Sequence, residues 1–142
     1  IVSLMDQERR PFGLTMNAIT SLSLDPPMFL VCVDRDSDTL KAIQETGIFC
    51  VNVLAQGHQE LSNRFAKKGD NKFSGIEYYN GSTGAPVLTG ALLAIECTVE
   101  AAFAGGDHEI FCGMVERIET EQSVSTEPLL YYDGRYGGVV SS

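Results

Sequence analysis

From Gly13 to Leu24 the chain alternates. Leu14, Met16, Ala18, Leu22 and Leu24 fall on one parity, and Thr15, Asn17, Ser21 and Ser23 on the other. That period of two predicts a strand with one face in a core. The parities swap at Ile19 and Thr20, which predicts a bulge or bend between Ala18 and Ser21. Asp25-Pro26-Pro27 ends the strand, because proline fixes φ and carries no N–H for a ladder. The unbroken apolar run from Met28 to Val33 then predicts a strand buried on both faces.

Downstream, Leu40, Ala42 and Ile43 form a short helical face stopped by Gly47, with Asp36, Ser37 and Asp38 as capping residues. Ile48 to Leu54 reads as a central strand interrupted by Asn52, and a second short helix runs from about His58 to Lys67. The glycine-rich stretch from Gly69 to Gly90 reads as loop with a weak strand near Ile76 to Tyr79. Leu93, Ile95, Cys97, Val99, Ala101 and Phe103 alternate with Ala94, Glu96, Thr98, Glu100 and Ala102, predicting a long strand with a core face and a wet face. Gly105-Gly106-Asp107 turns it into an antiparallel partner from Ile110 to Ile118. After a polar connection, Pro128 to Tyr132 begins a last strand ending at Asp133-Gly134. Many strands with few short helices predict an antiparallel barrel or sandwich.

Composition narrows the partners. The 142 residues fit one domain, and a net charge of −9 lacks the cationic footprint of a nucleic-acid surface. Apolar stretches are strand-sized, far short of a bilayer span, and no secretory leader is visible, so a soluble cytoplasmic protein with no membrane partner is expected. Cys32, Cys50, Cys97 and Cys112 sit in apolar strand patterns without CxxC pairing and read as reduced core residues. The sequence contains no GxGxxG, no GxxxxGK[ST], no HExxH and no nucleophile elbow. A Rossmann dehydrogenase, a zinc enzyme and covalent catalysis are therefore poor readings.

The polar parity of the first strand carries short hydroxyls and an amide where a solvated face would carry Lys, Glu or Arg. Such side chains hydrogen-bond to a docked ligand, or to a closely packed partner, without taking up room. The string TMNAITSLSLDPP followed by VDRDSDTL, together with NVLAQGHQELSNRFA, the KGDNKF loop, GDH and YYDGRYG, closely resembles the short-chain flavin reductase family. The resemblance spans nearly the whole chain, with the motifs in the family's order. It implies an FMN-binding split β-barrel, mainly antiparallel β with a few short helices, that pairs into a homodimer. It also implies residues upstream of Ile1.

The activity it implies is transfer of hydride from NADH or NADPH to flavin, FMN or alternatively FAD, with reduced flavin passed to a monooxygenase. By the same resemblance, Thr15, Asn17, Ala18 and Ser21 contact flavin, with Met16, Ile19 and Thr20 adjacent. In VDRDSDTL, Ser37 and Thr39 with Arg35 beside them form a phosphate site, flanked by Val33, Asp34 and Leu40. Ordinary helix capping is the competing reading of the same residues. Arg64, beside Phe65, can pair with the phosphate as a charged fork. His108 of GDH lies on the nicotinamide side, and Tyr132, Arg135 and Tyr136 belong to a closing motif whose aromatics flank a planar cofactor. Asn52, a lone amide in an apolar strand, is expected to brace the flavin strand, and His58 to serve only as a helix start. Two rivals stay open at this point: a flavin-holding electron carrier or other non-reductase flavoprotein on the same barrel, and a non-enzymatic barrel that dimerises or binds another planar ligand.

Overall fold

The computed structural model describes residues 1–69, 71–121 and 127–139. Its main body is one antiparallel sheet of seven strands: β1 (Val2–Met5), β2 (Pro11–Leu14), β3 (Ile19–Leu24), β4 (Pro27–Asp34), β5 (Ile48–Val53), β8 (Leu93–Gly105) and β9 (His108–Thr120). Two ribbons lie apart from it, β6 (Tyr78–Asn80) with β7 (Pro86–Leu88), and β10 (Leu130–Tyr132) with β11 (Arg135–Gly137). Helices α1 (Asp38–Thr46) and α2 (Gln59–Ala66) complete the fold. No helix among the described residues is long and apolar enough to cross a membrane.

The strand order β2-β1-β5-β8-β9-β4-β3 puts two strands consecutive in sequence, β2 and β3, at opposite edges. Seven strands laid flat span about 29 Å, whereas the five Cα steps from Leu14 to Ile19 reach at most about 18 Å. The sheet must therefore curl until its edges nearly meet. No ladder joins β2 to β3, so the barrel is closed by residues 15–18 and split between its edges.

This corrects the expected continuous strand from Gly13 to Leu24. The chain leaves one edge at Leu14 and joins the other at Ile19, and the bulge lies between Ser21 and Ser23. The parity swap at Ile19 and Thr20 marks that crossing.

The interior is filled by Val2, Leu4, Val31, Val33, Phe49, Val51, Ile95, Cys97 and Phe111, with Ala42 and Ile43 of α1 packed among them. Helix α1 begins as read: Ser37 is the N-cap and its hydroxyl accepts from the Thr39 N–H at 3.1 Å, while Gly47 ends the helix at φ +66°. A second cluster gathers Leu54, Phe65, Phe73 and Leu88 under α2. In β4 only Val31 and Val33 are fully buried. Met28, Leu30 and Cys32 on the other parity are half-buried, because no element of the described chain covers that outer face.

The long strand also departs from its simple alternation. Ladder shifts between Glu96 and Cys97 and between Val99 and Ala101 reset the parity. Glu96, expected on the wet face, is 1% exposed, and Phe103, expected in the core, is 57% exposed. Beyond Thr98 strand β8 has lost its β5 neighbour, so Phe103 stands on a two-sided arm. Ribbon strands β7 and β11 were not foreseen; three-residue strands carry too little pattern to read. All four cysteines are free thiols, with Cys32 half-buried and the others buried.

Candidate functional site

Residues 15–18 gain their position from α2. The Thr15 N–H donates to the Phe65 carbonyl at 3.2 Å, and the Thr15 hydroxyl to the Ser62 carbonyl at 2.6 Å. At the other end the Ala18 carbonyl accepts from the Cys32 N–H at 2.9 Å. The link is thus pinned to a helix on one side and to β4 on the other. The Asn17 side chain is exposed, and among the described residues its amide takes no hydrogen bond within the chain.

One side of this link forms the floor of a cavity of about 310 Å³. Thr15, Met16, Asn17 and Ala18 line it, with Cys32 and Asp34 from the end of β4, Ser37 before α1, and His108 at the start of β9. Asp34 and His108 are register partners at the barrel rim. Lys67, Lys68 and Lys72 line the same cavity. The Lys72 ammonium donates to the carbonyls of Gly13 at 3.1 Å and Phe65 at 3.4 Å, and no described carboxylate lies within ion-pair reach of it. Desolvation holds its pKa below the lysine value of 10.5, against the opposing pull of Asp38. His108 Nδ1 sits 2.8 Å from the Asp107 carboxylate, a contact that holds Asp107 below its usual range.

The other side of the link lines a larger, more apolar cavity of about 530 Å³, with Ile19, Val53, Leu129, Tyr131 and Tyr136 in its walls. Tyr136 donates to Ser62 Oγ at 3.0 Å and lies 2.9 Å from Asn63 Oδ1.

The structure therefore brings Thr15, Met16, Asn17, Ala18, Asp34, Ser37, Phe65 and His108 to one cavity, and Ile19 and Tyr136 to its neighbour. Other residues singled out in the sequence stand elsewhere. Thr20 and Ser21 are exposed on the edge strand β3, and Tyr132 is 85% exposed on its ribbon. Val33 is fully buried in the barrel core, Thr39 is 1% exposed in the first turn of α1, and Leu40 packs against that same core. The Phe65 ring is wholly buried edge-on to Phe73 at 4.9 Å, so Phe65 acts as packing beneath the cavity. Arg35 is exposed and lies outside the cavity lining. Arg64 donates to the carbonyls of Asn71 and Ser74, which ties down that loop and directs the guanidinium away from the cavity.

Asn52 braces a different place from the one expected. Its Nδ2 donates to Ser3 Oγ at 2.8 Å and to the Ile1 carbonyl at 3.3 Å, and its Oδ1 accepts from the Leu88 N–H at 2.8 Å. It joins β1, β5 and β7. The cations that reach the cavity, Lys67, Lys68 and Lys72, were not singled out. A signal existed: three of the chain's ten Lys and Arg fall within six positions of an acidic sequence.

The flavin reductase-like domain model matches residues 1–139. The chain belongs to the flavin reductase-like family. It is 39% identical over 129 residues to the reductase subunit HsaB of a flavin-dependent monooxygenase from Mycobacterium tuberculosis, covering 91% of this chain and 69% of that one. It is 40% identical over 138 residues to a flavin reductase (NADH) from Kitasatospora aureofaciens, covering 96% and 72%. The crystal structure of a nitrilotriacetate monooxygenase component B homolog from Mycobacterium thermoresistibile superposes with a TM-score of 0.93 at 36% identity, covering 99% of this chain and 78% of that one. In this flavin reductase the donor set fits a flavin phosphate: lysines and a helix-capping serine suit the anion, and a floor of short side chains leaves room for a flat ring.

Proposed function

We propose that this flavin reductase is an NAD(P)H:flavin oxidoreductase that binds FMN along residues 15–18 and passes the reduced flavin to a monooxygenase partner. The observation that supports the reading is one cavity lined together by the exposed Asn17 amide, which has no partner within the described chain, by three lysines and by His108. The bound flavin would supply the two-electron acceptor for hydride, a step that needs orientation more than acid or base from the protein.

The chain's residues do the rest. Ser37, Lys67, Lys68 and Lys72 bind the phosphate, which draws the ring's tail to the α1 end. Asn17 and the backbone of residues 15–18 offer hydrogen bonds to the ring edge, while Thr15 and Ala18 hold that backbone rigid through Ser62, Phe65 and Cys32. His108, fixed against Asp107, stands at the open rim, where it orients the incoming nicotinamide. Residues 1–142 act as one domain. A homodimer is supported by the uncovered apolar side chains of Leu22 and Leu24 on the β3 edge and Phe103 on the arm, which a second copy would bury. Four unpaired thiols support a reducing, cytoplasmic setting.

The test is steady oxidation of NADH, and separately NADPH, with free FMN supplied in excess over protein. Many turnovers per protein molecule are expected with at least one nicotinamide. Flavin bound without turnover by either would leave an electron carrier and overturn the reductase reading.

A further inference from the structure

The flavin reading leaves Arg64 without a role, because its guanidinium is engaged away from the cavity. From the last turn of α2 a single nitrogen, Nη2, donates to two carbonyls, that of Asn71 at 3.2 Å and that of Ser74. Those carbonyls belong to the two ends of one turn, since the Ser74 N–H also donates to the Asn71 carbonyl at 3.0 Å. Lys72 and Phe73 are its central residues.

Little else holds this turn. Asn71 and Ser74 are exposed, so water competes for their backbone groups. Asn71 sits at φ +66°, in the left-handed region that an L side chain keeps only where its surroundings hold it there. Of the turn's residues only Phe73 is buried, its ring edge-on to Phe65 at 4.9 Å and to Tyr78 at 5.2 Å. Arg64 supplies the second hold, on the backbone itself.

What the turn carries is the Lys72 ammonium. It donates to the Gly13 carbonyl at 3.1 Å and to the Phe65 carbonyl at 3.4 Å. The Phe65 carbonyl, left open by the end of α2, also accepts from the Thr15 N–H at 3.2 Å. The lysine and the link at residues 15–18 therefore meet on one helix-end carbonyl. A lysine reaches such a point through a flexible stem, so the place of its charge depends on the backbone from which the stem starts.

Resting on the flavin-groove reading, we infer that Arg64 is a positioning residue for phosphate binding, which clamps the turn at Asn71 and Ser74 so that Lys72 meets the flavin phosphate. It does not itself touch the flavin. Removing the clamp frees the turn, and the lysine then spends its charge over many positions instead of one. Arg64 therefore matters to FMN only while Lys72 is present.

The test is a double-mutant cycle in which FMN and riboflavin are titrated into wild type, Arg64→Ala, Lys72→Met and the double variant. Arg64→Ala should weaken FMN about tenfold and leave riboflavin, which lacks the phosphate, within about twofold. In the Lys72→Met background the same substitution should cost FMN no more than about a further twofold. A direct Arg64 contact to the phosphate would instead cost about tenfold in both backgrounds, and that result overturns the inference. Equal losses of FMN and riboflavin would make Arg64 a support of the whole groove and overturn it too, as would unchanged FMN affinity. Arg64→Gln, a good helix former whose donor stops well short of those carbonyls, carries the same cycle with the same expectations if Arg64→Ala does not fold. All these failures leave FMN binding by wild type intact, whereas failure of wild type to bind FMN takes down the flavin reading itself.

Discussion

Asn52 and Asn17 are the same side chain in two regions handled in opposite ways. Asn52 is fully buried, and both ends of its amide are engaged, by Ser3, Ile1 and Leu88. Asn17 is exposed on the cavity floor, and among the described residues its amide has no partner. The satisfied amide is structure: it ties β1, β5 and β7 together where water cannot enter. The exposed one is open to solvent and, on the function proposed above, to the flavin. Glu96 follows the first pattern through one oxygen only, which accepts from the Thr83 N–H and hydroxyl at 2.8 Å and from the Ser82 hydroxyl at 3.3 Å, while its other oxygen is buried without a partner among the described residues. Of the groove's three lysines, Lys72 donates to the Gly13 and Phe65 carbonyls, whereas Lys67 and Lys68 have no side-chain partner among the described residues.

The sharpest way to break this contrast is to exchange the consequences. Asn52→Leu should lower stability in urea unfolding by about 3 kcal/mol, because the Leu88 N–H and the Ser3 hydroxyl lose a buried partner. The FMN affinity of the folded protein should stay within about twofold. Asn17→Ala should do the reverse, weakening FMN about tenfold with stability unchanged to about 0.5 kcal/mol. Equal loss of stability in both variants would make Asn17 a second structural amide and end the comparison.

Lys72→Met should weaken FMN by about tenfold or more and leave riboflavin unchanged, since only the phosphate meets the ammonium. The pH dependence follows from the depressed pKa of Lys72. In the free protein the desolvation penalty is present while the lysine is charged and is relieved as pH rises through its lowered pKa toward 10.5. The attraction for phosphate is lost over that same rise. FMN affinity should therefore decline on the alkaline side from a pH below 10.5, and Lys72→Arg should remove the decline while keeping the affinity. An unchanged alkaline limb in Lys72→Met would exclude this lysine as its source.

Asp107→Asn should have the smallest effect. The His108 contact holds the Asp107 carboxyl below its usual range, so its contribution is present above the ordinary carboxylate pKa and fades as pH falls through the lowered one. The difference in thermal midpoint between wild type and variant should be slight at neutral pH, since the pair is exposed, and vanish in acid. A rise in the KM for NADH in the same variant would show that the pair orients His108.

Much of the barrel was legible because burial writes a period into strands. Ile48 to Leu54, the hairpin turning at Gly105-Gly106-Asp107, and α1 with its Ser37 cap and Gly47 stop all stand where local pattern put them. In the hairpin, Gly105 pairs with His108 around a two-residue loop, and Gly106 takes φ +69°, which glycine adopts freely. The site was legible in part. The short side chains of residues 15–18, Ser37 and His108 carried a signal in their type and setting, and they do converge. Arg64 and Lys72 show why the rest was not. Both are cations near α2, and only their tertiary neighbours decide that Arg64 faces a loop's carbonyls while Lys72 faces a cavity.

By itself the sequence determined the class of fold, the acidic net charge, the absence of familiar metal and nucleotide-loop motifs, and the stretch on which the candidate site is proposed. Those follow from local sterics and from which residues water excludes, and both act over a few neighbouring positions. The tertiary structure alone decided that residues 15–18 are a bridge between opposite sheet edges, that Glu96 is buried, and that lysines far along the chain meet Ser37. Each of these depends on the closing of a seven-stranded sheet. That closing is a condition on distances between segments remote in sequence, which no local pattern records.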